Sequence, residues 1–243
     1  MTPEGNGIYR MDGIPWNEPG CIHTADEAIK YINNVGFLPL FSNSVPGFSL
    51  EEHTGIDYWW SEDIERDPWE WRIEIARTGE VAYGKFFSKK AGFVSKEWLP
   101  YFVNYRRDGY DFEGKYSDGL ASYQEKNIMD LFSDENCDME YFSPELKSLS
   151  HFQGSRSKFD SVIQNLMMEF YLVTKDFQRR VNKKGEEYGW SIAVYCTPEH
   201  LFGDELVYSA YKEEPTESFT RILEHMKELY PEAKEKDIIR VIK

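Results

Sequence analysis

SRSKFDSVIQNLMMEFYLVTKDF, residues 155–177, is the stretch from which the architecture of this 243-residue chain is read. Phe159, Val162, Ile163, Leu166, Met167 and Phe170 recur at steps of three and four, so a 3.6-residue helix gathers them into one apolar stripe. Gly154-Ser155 ends the preceding unit, and Ser157 leads the stripe. Beyond it, Tyr171-Leu-Val-Thr174 and Trp190-Ser-Ile-Ala-Val-Tyr195 are rich in β-branched and aromatic residues, and Asn182-Lys-Lys-Gly185 between them is a turn; together they predict a hairpin. Upstream, Ser143-Pro144-Glu145 opens a short helix with proline at its first position. Before that, Ser117 or Asp118 caps a helix through Leu120, Tyr123, Ile128, Met129, Leu131 and Phe132. Helix, short helix, longer helix, hairpin is the order of a winged helix-turn-helix. Two helical pieces, Pro215 to Tyr230 and Lys234 to Lys243, follow it.

Towards the N-terminus the pattern is mixed. Residues 1–22 are Gly- and Pro-rich without a period and read as a flexible arm. Thr24-Ala-Asp-Glu27 is a capping box for a helix to about Asn34, which Gly36 closes. Residues 56–75 hold four tryptophans among seven acidic residues; Trp69-Glu-Trp71-Arg72-Ile73 fits a half-buried strand or the start of a helix. Ala82 to Lys90 reads as a strand with a basic exit, and Phe93-Val94 as a second strand. Ser95 reads as the cap of a helix through Trp98, Phe102 and Tyr105, in which Pro100 implies a kink or a late start. Gly109 to Tyr116 reads as a polar connector. The expectation is an α/β (α+β) fold. An N-terminal α/β region with a small sheet occupies 23–114, and a winged helix-turn-helix with extra C-terminal helices occupies 115–243.

Composition narrows the class. Forty-one per cent hydrophobic and 16% aromatic residues support an ordered core. No apolar run approaches the roughly 20 residues that span a bilayer, and the start MTPEGNGIYRMDG has no secretory pattern. A cytoplasmic protein without a membrane partner is expected. Cys21, Cys137 and Cys196 are odd in number and far apart, and His23, His53, His151, His200 and His225 show no ligand spacing, so no disulfide framework, metal or cofactor is expected. The net charge of −15 opposes nucleic acid, but it is uneven. Residues 85–107 carry six Lys and Arg against one acid, and residues 151–185 carry seven against three. These basic islands leave DNA open as a partner.

The run at 155–177 resembles a segment of the short AlkZ-related winged-helix proteins of Gram-positive bacteria, distant relatives of the AlkZ and YcaQ DNA glycosylases. Trp69-x-Trp71-Arg72, the Tyr83-Gly-Lys85-Phe-Phe87-x-Lys89-Lys90 run, Phe93-Val94-Ser95 and Leu99-Pro-Tyr-Phe102 follow the same pattern, and the resemblance extends from about Thr24 to the C-terminus. It implies a DNA-associated, glycosylase-like protein concerned with DNA repair. The glycosylases carry a Gln-x-Gln or Gln-x-Asp motif. Here Gln124, Gln153, Gln164 and Gln178 are the only glutamines, and none has Gln or Asp two positions on. No catalytic residue is therefore carried over.

Three residue sets are candidates. Arg156 and Lys158, at the start of the longer helix, with Lys175, Arg179, Arg180, Lys183 and Lys184 in the hairpin, would meet DNA phosphates and groove edges. Lys85, Lys89 and Lys90, with Arg106 and Arg107, would form a second phosphate-tracking patch; the alternative is lysines snorkelling from an amphipathic strand. Trp59, Trp60, Trp69 and Trp71 with Arg72 would stack on an extruded base, with Asp57, Glu62, Asp63, Asp67 or Glu70 as acid or base; the alternative is ordinary core. Three functions remain open: a DNA-associated protein, a non-catalytic winged module that binds a protein partner, and a small-molecule enzyme using the Trp-rich pocket. The oligomeric state is not read from the sequence.

Overall fold

The structure is a computed structural model that describes residues 2–4, 8–133, 139–182, 184–185 and 187–243. It is mixed α/β. β1 (Thr2–Glu4) and β2 (Ile8–Arg10) pair antiparallel. Residues 11–22, expected as the free end of an arm, are instead docked. Met11, Cys21 and Ile22 are buried, and Ile14 and Ile22 bridge to Gly55 and Thr54. Apolar side chains spaced irregularly along a Gly/Pro-rich segment still find a core, which periodicity does not reveal.

α1 (Ala25–Val35) begins as its capping box predicts: Thr24 Oγ1 accepts from the Glu27 N–H, and the Glu27 carboxylate accepts from the His23 N–H at 2.7 Å. Gly36 ends it at φ +87°, its N–H bonding to Ile32 O. β3 (Phe37–Pro39) follows. The ambiguous Trp-rich stretch is a helix, α2 (Pro68–Thr78), because Asp67 caps it and Pro68 is pre-set for its first turn. β4 (Val81–Phe87) and β5 (Lys90–Ser95) form a hairpin turned at Ser88 and Lys89, both with positive φ, and β3 adds to β5 to give the order β3-β5-β4. α3 (Leu99–Arg107) resolves the Pro100 question as a late start: proline sits in the first turn, and Ser95, the expected cap, is the last residue of β5.

Gly92 pairs across the sheet with both Gly84 and Pro39. A methyl group there would collide with the Phe87 ring and sit 2.8 Å from the Leu38 carbonyl oxygen, and that oxygen belongs to the neighbouring strand. Gly92→Ala is therefore expected to lower stability by about 1–3 kcal/mol through overpacking, read as a lower urea midpoint with an unchanged m-value.

The expected connector at 109–116 contains α4 (Phe112–Ser117), capped by Asp111, whose carboxylate accepts from Gly114 N. The helix expected from Ser117 starts later, as α5 (Tyr123–Ser133). Gly119 at φ +75° breaks the path, and Ser122 with Glu125 forms a reciprocal capping box. β6 (Tyr141–Phe142), α6 (Ser143–Leu149) and α7 (Arg156–Met168) follow, with Ser155 Oγ capping α7. β7 (Val173–Val181) and β8 (Glu187–Cys196) are the predicted hairpin, and β6 joins β8 in the order β6-β8-β7. The chain ends with α8 (Pro198–Phe202), α9 (Asp204–Val207), α10 (Pro215–Leu229) and α11 (Glu235–Ile242).

Two apolar cores organise these elements. The first surrounds Phe37, which packs against Phe48, Phe87, Trp98 and Phe102. The second gathers α4, α5, α6 and α7 around Ile128, Leu146, Phe159 and Leu166. The C-terminal helices return to the first core through Val207, Ile222, Met226, Ile238 and Ile242, so they are extensions of the N-terminal half rather than of the hairpin unit. Buried Asn104 secures that return, donating to Ala210 O, Glu213 O and Ser218 Oγ at 3.0–3.2 Å. No helix among the described residues is long and apolar enough to cross a membrane.

A candidate cationic and aromatic pocket

A cavity of about 350 Å³ opens where α2, β4, α7 and the β7–β8 hairpin meet. Each wall follows from a local rule. Trp69 and Arg72 stand three apart on α2 and so share a helix face. Tyr83 and Lys85 are two apart on β4 and point the same way. On α7, Asp160, Ile163, Gln164 and Met167 occupy one stripe, flush with the buried face. Thr174, Phe177, Ser191, Ala193 and Tyr195 of the hairpin complete the lining.

Arg72 is the centre of the site. It is buried, and its guanidinium lies between the rings of Trp69, at 3.6 Å, and Phe177, at 4.8 Å, while donating to Trp69 O. Burial lowers its pKa, and the neighbouring Tyr83 opposes that shift. Burial pushes the Tyr83 phenol up to about 12 although Arg72 pulls it down. Burial, and then Arg72, also lower the pKa of half-buried Lys85. Its amine makes no hydrogen bond or ion pair with any described residue. Burial similarly raises Tyr195 to about 12.

The expected tryptophan pocket is only partly realised. Trp69 and Arg72 line the cavity. Trp71 is core, its indole N–H donating to Glu65 O at 2.8 Å, and Trp59 is core, donating to Thr54 Oγ1 at 3.0 Å. Trp60 is 48% exposed and 6.2 Å from Trp69 between ring centroids. Asp67 is used as a cap, its Oδ1 accepting from the N–H groups of Trp60 and Trp69. Trp71 and Trp69 are two apart on a helix, hence on different faces; of the two alternatives the sequence left open, only a strand would put them on one face.

The basic candidates also divide. Arg156 and Lys158 are both exposed, but two helical steps separate them by about 200°. Arg156 lies on the cavity side, paired with Asp160 at 3.0 Å, and Lys158 faces away. Lys175 is engaged by Glu140, which also holds His200 at 3.0 Å. Arg179, Arg180, Lys184, Lys89 and Lys90 are exposed. Lys183 lies outside the described residues. Lys89, at the tip of the β4–β5 hairpin, touches the end of α7 through its N–H to Met168 Sδ.

Arg106 and Arg107 are corrections, because Arg107 is buried, Arg106 is half-buried, and both are held by structural acceptors rather than free at the surface. Arg106 donates to the carbonyls of Phe86, Met168 and Ile242. Arg107 pairs with Glu199 at 2.5 Å and donates to Phe170 O at 2.6 Å. Asp160, Gln164, Tyr83, Tyr195 and Phe177 were not anticipated. Polar residues four apart, flush with the apolar stripe of the longer helix, were the signal for the first two.

The fold and this site together define a mixed α/β protein with a cation-bearing aromatic pocket between a small sheet and a helix–hairpin unit. Comparison with protein-family models matches the family described as AlkZ related over residues 22–243. The chain belongs to the AlkZ-related family. Comparisons with curated proteins and with solved structures return no match. Among the described residues no group of His, Cys, Asp and Glu could hold a metal ion.

Proposed function

We propose that this protein associates with DNA through a winged-helix unit and receives an extruded nucleotide in the pocket centred on Arg72. The winged reading is supported by the order α5, β6, α6, α7, β7, β8 and the sheet order β6-β8-β7, with α7 as the recognition helix and the β7–β8 hairpin as the wing. The observation that carries the functional reading is the pocket itself. Trp69 and Phe177 offer faces on which a base stacks, and Arg72 and Lys85 offer positive charge at the mouth of a duplex-contacting helix. Exposed Arg156, which pairs with Asp160 of the lining, and exposed Arg179, Arg180 and Lys184 of the hairpin add cations for phosphates. Local positive charge of this kind directs an anion to one face although the whole chain repels it.

The test is binding to single-stranded, duplex, branched and abasic-site DNA across a salt series, followed by fluorescence. Wild type is expected to bind at low salt, with log K falling linearly against log salt. Replacing Arg179, Arg180 and Lys184 with alanine is expected to reduce the slope by about 0.9 for each one that meets a phosphate. Abasic-site DNA is expected to quench tryptophan emission in wild type and much less in Trp69→Ala. No binding to any of these DNAs at low salt ends the reading.

A further inference from the structure

Lys85 brings the pocket more than charge, because a lysine amine is also a nucleophile. Its amine projects from β4 into the cavity, half-buried, with no carboxylate or carbonyl engaging it among the described residues. Half-buried Lys115, Lys126 and Lys175, by contrast, each hold a carboxylate. Its neighbours are the Arg72 guanidinium, the Tyr83 phenol and, across the cavity on α7, the Asp160 carboxylate that Arg156 already holds. Burial beside a second cation favours the neutral amine, the form that attacks a carbonyl carbon.

We propose that Lys85 is a nucleophile that captures the aldehyde of a deoxyribose sugar as an imine. The amine nitrogen attacks C1′ of the ring-opened sugar, forming the C–N bond as the carbonyl π pair moves to oxygen. Two protons pass from nitrogen to that oxygen, water leaves, and a C=N bond remains. Amine plus aldehyde gives imine plus water, with no oxidant or reductant. The cavity volume of about 350 Å³ admits a sugar phosphate. The second cation, Arg72, suits the phosphate attached to it.

This rests on the DNA reading only for the source of the aldehyde. A free deoxyribose phosphate and an abasic site in a DNA strand present the same carbonyl, and the experiment separates them. The full chain is incubated with 2-deoxyribose 5-phosphate or with an abasic-site oligonucleotide, in the presence of cyanoborohydride, which reduces an imine to a stable secondary amine. Adducts are located by peptide mass mapping. The expected result is a dominant adduct on Lys85 of the wild-type chain, lost in Lys85→Arg and retained in Lys89→Arg and Lys90→Arg. Mapping on wild type keeps the test valid even if Lys85→Arg folds poorly. Adducts on Lys85 with the sugar phosphate but none with abasic DNA uphold the nucleophile and count against DNA as its source. Binding of abasic DNA with no adduct from either aldehyde overturns the nucleophile and leaves the DNA reading standing. Label spread over Lys89, Lys90, Lys158 and Lys184 according to exposure also overturns it.

Discussion

Arg107→Met is expected to lower folding stability by about 3–5 kcal/mol, read from urea unfolding, because it strands a buried carboxylate. Arg107 sits at the seam between the two cores. Its guanidinium donates to Glu199 Oε1 at 2.5 Å, to Phe170 O at 2.6 Å and to the Tyr208 hydroxyl at 3.3 Å, and lies 4.6 Å from the Tyr171 ring centroid. The arginine side chain is 2% exposed and that of Glu199 19%, so solvent screens the pair little. Burial alone disfavours both charges, yet each holds its partner charged. The Arg107 pKa is raised by Glu199, and the Glu199 carboxyl is held below its usual range by Arg107 and by the Tyr208 hydroxyl. A depressed carboxyl pKa stabilises the fold above its unfolded value of about 4.3, and the gain is lost as pH falls through the lower, folded value. In Arg107→Met the ion-pair partner is gone, and burial acts on Glu199 against only the Tyr208 hydroxyl and the backbone. The stability gap between wild type and variant is therefore expected to be largest near neutrality and to narrow in acid. A gap that is constant with pH would assign the loss to packing and not to the ion pair.

Phe170→Ala is expected to cost a similar amount, about 3–5 kcal/mol, for a different reason. The ring is fully buried, stacks on Phe86 at 4.2 Å and meets Phe102 at 5.6 Å. Phe170 follows α7 directly, at φ +57°, and belongs to the first core while Leu166, Met167, Tyr171 and Leu172 around it belong to the second. It is the side chain by which the helix–hairpin unit is pinned to the small sheet. Truncation leaves a cavity between Phe86 and Phe102 and loosens α7 against β4, the two elements whose approach forms the pocket. Faster amide exchange in α7 than in α1 would report that loosening. Alanine keeps the carbonyl that Arg107 uses, but loss of the ring loosens the chain that presents it, so the double variant is expected to lose less than the two single losses added.

How much was legible depended on the range of the interaction. Helices defined by local chemistry were readable: α1 from its capping box and glycine stop, α7 from an unbroken apolar stripe, the β7–β8 hairpin from its β-branched runs and turn. The misplaced start of α5 was still a local matter, since Ser122-Tyr-Gln-Glu125 is a capping box, overlooked in favour of Ser117. The Trp-rich stretch was not decidable, because a five-residue window fits both periods and the Asp67-Pro68 start outweighs its alternation. Of the site, Trp69, Arg72 and Lys85 were named in advance. Asp160 and Gln164 were not, since a polar residue beside a buried stripe is equally consistent with a solvated edge.

Charge shows the boundary most clearly. Seven lysines and arginines in residues 151–185 and six in residues 85–107 are properties of the chain alone, as are the apolar periods, the caps and the family to which residues 22–243 belong. Those follow from neighbours a few positions apart, which any reader of the sequence can count. The destination of each cation does not. Arg106 and Arg107 share an island with Lys89 and Lys90, yet the first two are turned inward onto carbonyls and Glu199 and the last two stay in water. Their partners lie 20 to 136 positions away. Burial of a charge depends on whether the folded chain supplies a compensating acceptor there, and only the packing of the two cores brings such acceptors within reach.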